Sequence, residues 1–137
     1  MPEKLIVALS KSSPLSRESH ISVSQLTDQP LILLSREHEP ALHDAIFDLF
    51  RKEGVVPKIA HQANEVTSMM SLVAANVGVA LVPESFQHIA VSGLIYRPFE
   101  KDIGRFEAGI AWHRDNDSSA LRTILKIMEE VSDEPQS

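Results

Sequence analysis

A chain of 137 residues, 43% apolar and 23% charged, has the length of one domain and enough apolar side chains to bury a core, which excludes a disordered chain. It has no cysteine, so disulfide staples, thiolate zinc sites, iron–sulfur clusters and cysteine nucleophiles are excluded together. The net charge is −6, and Lys11, Arg17, Arg51, Lys52 and Lys126 are scattered among acids, which leaves no basic stripe for gripping nucleic acid.

In chain order, Leu5 to Leu9 is a continuous apolar run, the pattern of a strand buried on both faces. It is too short for a signal core or a membrane span, so the expected compartment is the cytoplasm and no membrane partner is expected. Lys11 to His20 is Ser-rich, contains Pro14 and reads as a loop. A short helix is expected around Val23 to Leu26, then a second strand at Leu31 to Leu34. Ala41 to Glu53 is an amphipathic helix: Leu42, Ile46, Leu49 and Phe50 share one face, with Pro40 at its start and Gly54 past its end.

A third strand is read within Val55 to Gln62, starting beyond Pro57. Asn64 is the expected N-cap of a helix from about Glu65 to Ala75, whose inward stripe is Met69, Leu72, Val73 and Asn76. Asn76 and Gly78 suit the left-handed conformation of a helix end. Val79 to Val82 is a further buried strand, halted by Pro83. A short helix near Glu84 to Ile89 precedes strands at Leu94 to Phe99 and Phe106 to His113. The last element is a helix from about Ser119 to Val131, with Leu121, Ile124, Leu125 and Met128 on one face. Strands alternating with helices imply crossovers, an α/β fold and a mainly parallel sheet.

No catalytic signature is present. The histidines at 20, 38, 43, 61, 88 and 113 never pair at i, i+4 around an acid, and no nucleophile elbow, Walker loop or Gly-x-Gly-x-x-Gly turn occurs. Glu37, His38, Glu39, His43 and Asp44 offer metal-type ligands, but a solvated loop entering a helix explains them as well. The expectation is therefore no enzyme, no metal and no cofactor. Binding has better support. Ser35 follows a buried strand, and Asn64, Thr67 and Ser68 open a helix just after another. Open α/β sheets place ligands there, where unpaired backbone N–H groups favour an anion by about 0.3–1 kcal/mol from the helix dipole.

Several segments, in order, carry a resemblance. LIVALSKSSPL (5–15) resembles the hinge strand and polar loop of LysR-type transcriptional regulators. The stretch from PLILLS to LVPES (30–85) is similar to their effector-binding domain, most specifically in LVAANVGVALVPES. LIYRPF and AGIAWHRDNDSSALRTILKIMEE fit in the same order. Asn76 departs, standing where the family usually has glycine, and tolerates the same backbone.

The resemblance implies a periplasmic-binding-protein-like (type II) effector domain, with one complete α/β subdomain and the last strand and helix of the other. Residues 1–9 would be the hinge strand, 10–104 subdomain II, 105–131 the returning strand and C-terminal helix of subdomain I, and 132–137 a tail. The helix-turn-helix that reads DNA in the family has no counterpart in these residues. By the same analogy, effector contacts fall on Ser35, Pro40, Leu42, Asn64, Glu65, Val66, Thr67, Ala108 and Ile110, and a small carboxylate with an apolar body would suit them. The final helix lacks the strands it would cover, so self-association is expected. A stand-alone solute-binding protein, a truncated dimerisation partner of a full-length regulator and an enzyme on this fold are the competing readings.

Overall fold

The computed structural model describes residues 3–101. The strand and helix expected beyond residue 105 lie outside that range, as do Ala108 and Ile110.

The run Leu5–Ser10 forms β1, buried at every position. It lies between β4 (Ala80–Pro83) and β5 (Leu94–Pro98), antiparallel to both. Beside them, β2 (Pro30–Leu34) pairs in parallel with β3 (Lys58–Ala63). A bridge between Leu31 and Val79 joins the two ladders, through Ile32 N–H to Val79 O at 2.8 Å and Val79 N–H to Pro30 O at 2.9 Å. The sheet is therefore mixed rather than mainly parallel. Strands linked by helices do run alike, as β2, β3 and β4 do. The connection over 11–29 carries no crossover helix, only 3-10 turns at Pro14–Arg17 and Val23–Leu26, and β1 runs the other way.

Helix α1 (Pro40–Lys52) buries Leu42, Ile46, Leu49 and Phe50, the face its spacing predicts. Gly54 closes it in the left-handed conformation, with Val55 N–H reaching Phe50 O and Gly54 N–H reaching Arg51 O. Helix α2 (Val66–Ala74) ends in the same way. Asn76 has φ 62°, its N–H meets Val73 O, and Val77 N–H meets Leu72 O. The buried face of α2 is Val66, Met69, Met70 and Val73; Asn76 is exposed because the chain has already left the helix there. α2 packs across β1 and β2, so one helix covers both ladders.

Gly78 sits where the ladders meet. A Cβ there would stand 2.5 Å from the Pro30 carbonyl oxygen, so only glycine lets β2 and β4 come this close. At the far end of β4, the turn at Glu84–His88 is tied to the chain start by Glu84 N–H to Lys4 O and Ser85 N–H to the Glu3 carboxylate.

Candidate functional site

The parallel strands β2 and β3 finish side by side, and each hands the chain to a helix. Ser35 N–H donates to Ala63 O at 2.9 Å, which sets the loop after β2 against the end of β3. The Ser35 carbonyl then accepts from the N–H groups of His38 and Glu39, turning the chain into α1. The Ser35 hydroxyl lies 2.6 Å from His38 Nδ1. Arg36 forms a two-pronged pair with Asp44 at 3.2 and 3.4 Å, clipping this turn to the first turns of α1. Both partners are exposed, so the pair orients the loop more than it stabilises the fold.

The start of α2 lies one residue later than expected. β3 continues to Ala63, paired with Leu34, so Asn64 still belongs to the strand exit and Glu65 occupies the N-cap. Asn64 is consequently not the cap, and the Glu65 side chain makes no capping hydrogen bond. The N–H groups of its first turn are the orphan donors that every helix start carries.

The proposed contacts divide by burial. Ser35 is half-buried, and Pro40, Asn64, Glu65 and Thr67 are exposed around the strand ends. Leu42 and Val66 are 2% and 0% exposed, so both belong to the core and not to the surface around the strand ends. His38 is the residue that sequence reasoning passed over. The sequence offers it only as a metal-type ligand, whereas the turn folds it back onto Ser35. A Ser-x-x-His spacing in a strand-to-helix loop was the available signal. Among the described residues, no three His, Asp or Glu side chains converge as a metal site would require.

A polar opening of about 350 Å³ lies at the end of β1 away from these strand ends, bounded by Lys11, Ser12, Ser13, Pro14, Ser16 and Arg17. The serine oxygens nearest the backbone there are engaged: Ser13 accepts from Leu15 N–H and Ser10 from Ser12 N–H. Elsewhere, burial pushes the Tyr96 phenol well above its ordinary pKa, and its hydroxyl donates to Ile89 O at 2.7 Å. No helix among the described residues is long and apolar enough to cross a membrane.

Strand order, helix placement and the open strand ends define an α/β effector-binding lobe of the periplasmic-binding-protein-like type II kind. The LysR substrate binding domain family matches residues 1–133, and the chain belongs to that family. It is 33% identical over 125 residues to the HTH-type transcriptional regulator BudR of Raoultella terrigena, covering 91% of this chain and 43% of that protein. It is 36% identical over 96 residues to the HTH-type transcriptional regulator TtuA of Agrobacterium vitis, covering 70% of this chain and 32% of that protein. The chain thus spans less than half of these curated relatives, which are described as regulators and not as enzymes. The BenM effector binding domain with its effector benzoate superposes at TM-score 0.70 with 29% identity, over 77% of this chain and 49% of that one. The effector binding domain of QuiR in complex with shikimate, at 23% identity and TM-score 0.64 over 77% of this chain and 49% of that one, shares the fold.

Proposed function

We propose that this chain senses a small-molecule effector as the ligand-binding part of a LysR-type transcriptional regulator. The observation that carries the reading is the junction of Ser35 with the end of β3, beside an α2 whose N-cap residue Glu65 makes no capping hydrogen bond. Each ligand hydrogen bond that involves a charge adds about 1.5–3 kcal/mol, and this lobe supplies backbone donors and the Ser35 hydroxyl on one wall. Family membership and the benzoate-bound relative support the ligand class, a small carboxylate. Pro40, Asn64, Glu65 and Thr67 complete this wall in the proposal, with Leu42 and Val66 buried behind it, and the family resemblance would add Ala108 and Ile110, which lie outside the described residues. DNA contact falls to a helix-turn-helix outside these residues, the compartment is the cytoplasm, and the chain self-associates.

Calorimetric titration of the full-length regulator with small carboxylates, hydroxylated ones included, tests the reading. Ser35→Ala and Asn64→Ala should each weaken binding of the tightest of these ligands by about tenfold, the worth of one good hydrogen bond. Operator affinity should stay as it was. Unchanged carboxylate affinity in both variants would place the site elsewhere. Sedimentation over a wide concentration range tests the association, which a strictly monomeric species would rule out.

A further inference from the structure

Ser35 has few hydrogen-bonding options left. Its N–H is held by Ala63 O, and its carbonyl is taken by His38 and Glu39 N–H. The side chain has a single proton to give and lone pairs to offer. At 2.6 Å, its Oγ is within firm hydrogen-bond range of His38 Nδ1. A neutral imidazole carries its proton on one ring nitrogen and accepts at the other, and the hydrogen bond at one nitrogen fixes the state of both.

We propose that His38 Nδ1 accepts the hydrogen bond of the Ser35 hydroxyl, so that Ser35 meets a ligand as an acceptor and selects an effector bearing a hydroxyl or ammonium donor. The inference rests on the effector-binding reading above and deepens it. A carboxylate oxygen brought against such a serine finds lone pairs facing lone pairs. A hydroxyl or ammonium group finds an acceptor already aimed by a ring three residues away. A site that must hydrogen-bond a substrate donor rejects the analogue lacking it, because its own polar atom is then left unpaired. His38 is a positioning residue in this scheme: it touches Ser35 and acts on the ligand through it. The Arg36–Asp44 pair and the two bonds to the Ser35 carbonyl hold the turn in which the two side chains meet.

Three ligands of one skeleton separate the possibilities in the full-length protein: phenylacetate without a donor, mandelate with a hydroxyl, and phenylglycine with an ammonium. Mandelate or phenylglycine should bind at least about tenfold tighter than phenylacetate, the scale of one hydrogen bond, and which of the two leads identifies the donor. In Ser35→Ala the preference should collapse. In His38→Phe the serine is free to turn its proton towards a carboxylate, so the preference should again narrow, with phenylacetate gaining. A merely structural role for His38 would weaken all three ligands alike and leave the ratio in place, which overturns the proposal. So would equal binding of the three ligands in the unaltered protein. Nitrogen-15 spectra of the histidine rings give a ligand-free readout. An unprotonated Nδ1 of neutral His38 whose shift moves in Ser35→Ala supports the proposal even if no carboxylate binds, an outcome that would count only against the ligand class. A protonated Nδ1 in the ligand-free neutral ring overturns it.

Discussion

β1 and β3 are both six-residue strands, yet they are built on opposite terms. β1 is paired on both sides and buried at every residue, while β3 is paired only with β2 among the described residues and is exposed from Lys58 to Gln62. The central strand is held by side chains that cannot change without cost. The edge strand is held by its backbone ladder and by the single buried residue Ala63, at the point where it delivers the chain to the site. Stability and binding therefore depend on different strands. Substitutions in β1 should act on folding, and substitutions around the end of β3 on ligand.

The comparison breaks most easily at Leu9, which is wholly buried in β1. Leu9→Ala should cost about 2–5 kcal/mol, the range for emptying a packed leucine site. Urea denaturation of the chain measures it, and a loss below about 1 kcal/mol would mean the β1 core relaxes around the gap. Gly78→Ala comes next, at about 1–3 kcal/mol, because the new methyl group meets the Pro30 carbonyl oxygen and pushes the ladders apart. A neutral Gly78→Ala would show that the two ladders can shift without penalty.

Tyr96 sharpens the picture from β5. Its phenol pKa is raised by burial, so the neutral form is the one the fold accommodates. With a folded pKa above the unfolded value, its contribution is fully present below the unfolded pKa, near 10, and is lost as pH rises through the folded one. Stability should fall with rising pH on the alkaline side, and Tyr96→Phe should remove part of that fall. At neutral pH the same change forfeits the bond to Ile89 O, about 0.5–1.5 kcal/mol. Thermal unfolding at neutral and alkaline pH checks both parts; an alkaline fall that is the same in Tyr96→Phe would assign it to other groups.

The smallest effects belong to the edge. Ile59→Ala and Asn64→Ala should each stay within about 0.5 kcal/mol, since Ile59 is 37% exposed and Asn64 caps nothing. Denaturation midpoints measure this, and a loss above about 1 kcal/mol in Asn64→Ala would restore it as a cap. The contrast with the tenfold ligand effect proposed for Asn64→Ala is what separates the two roles.

What the sequence could disclose follows from where the information sits. The first long helix was legible because Pro40, Gly54 and the apolar spacing are local signals that agree. Asn76 was legible as a helix end for the same reason. The direction of β1 was not, because LIVAL reads alike in a parallel and an antiparallel centre, and only the connections decide. Nor was the exposure of β3, since the edge position is a property of the sheet and not of KIAHQA. At the candidate site, Ser35 could be singled out from its place after a strand. Its bond to His38 was signalled only by the Ser-x-x-His spacing, because the contact itself depends on how tightly one loop turns. The N-cap shifted from Asn64 to Glu65 because pairing with β2 extends β3 by one residue, a long-range contact.

The bridge at Leu31 and Val79 has a consequence for cooperativity. Two backbone hydrogen bonds link the ladders there, so the sheet alone is a weak carrier of one ladder's order to the other. That role falls to α2, which lies over β1 and β2 at once, with Met69, Met70 and Val73 in the shared core. Opening of the β2–β3 ribbon, the ribbon that ends at the candidate site, would therefore be gated by how firmly α2 is seated. Amide exchange at Ile32 and Val79 reports it directly. If the lobe opens as one unit, those two amides exchange in step with the centre of β1. If the ribbon is a separate unit, they exchange ahead of it, and a ligand seated on the first turn of α2 would bring them back into step.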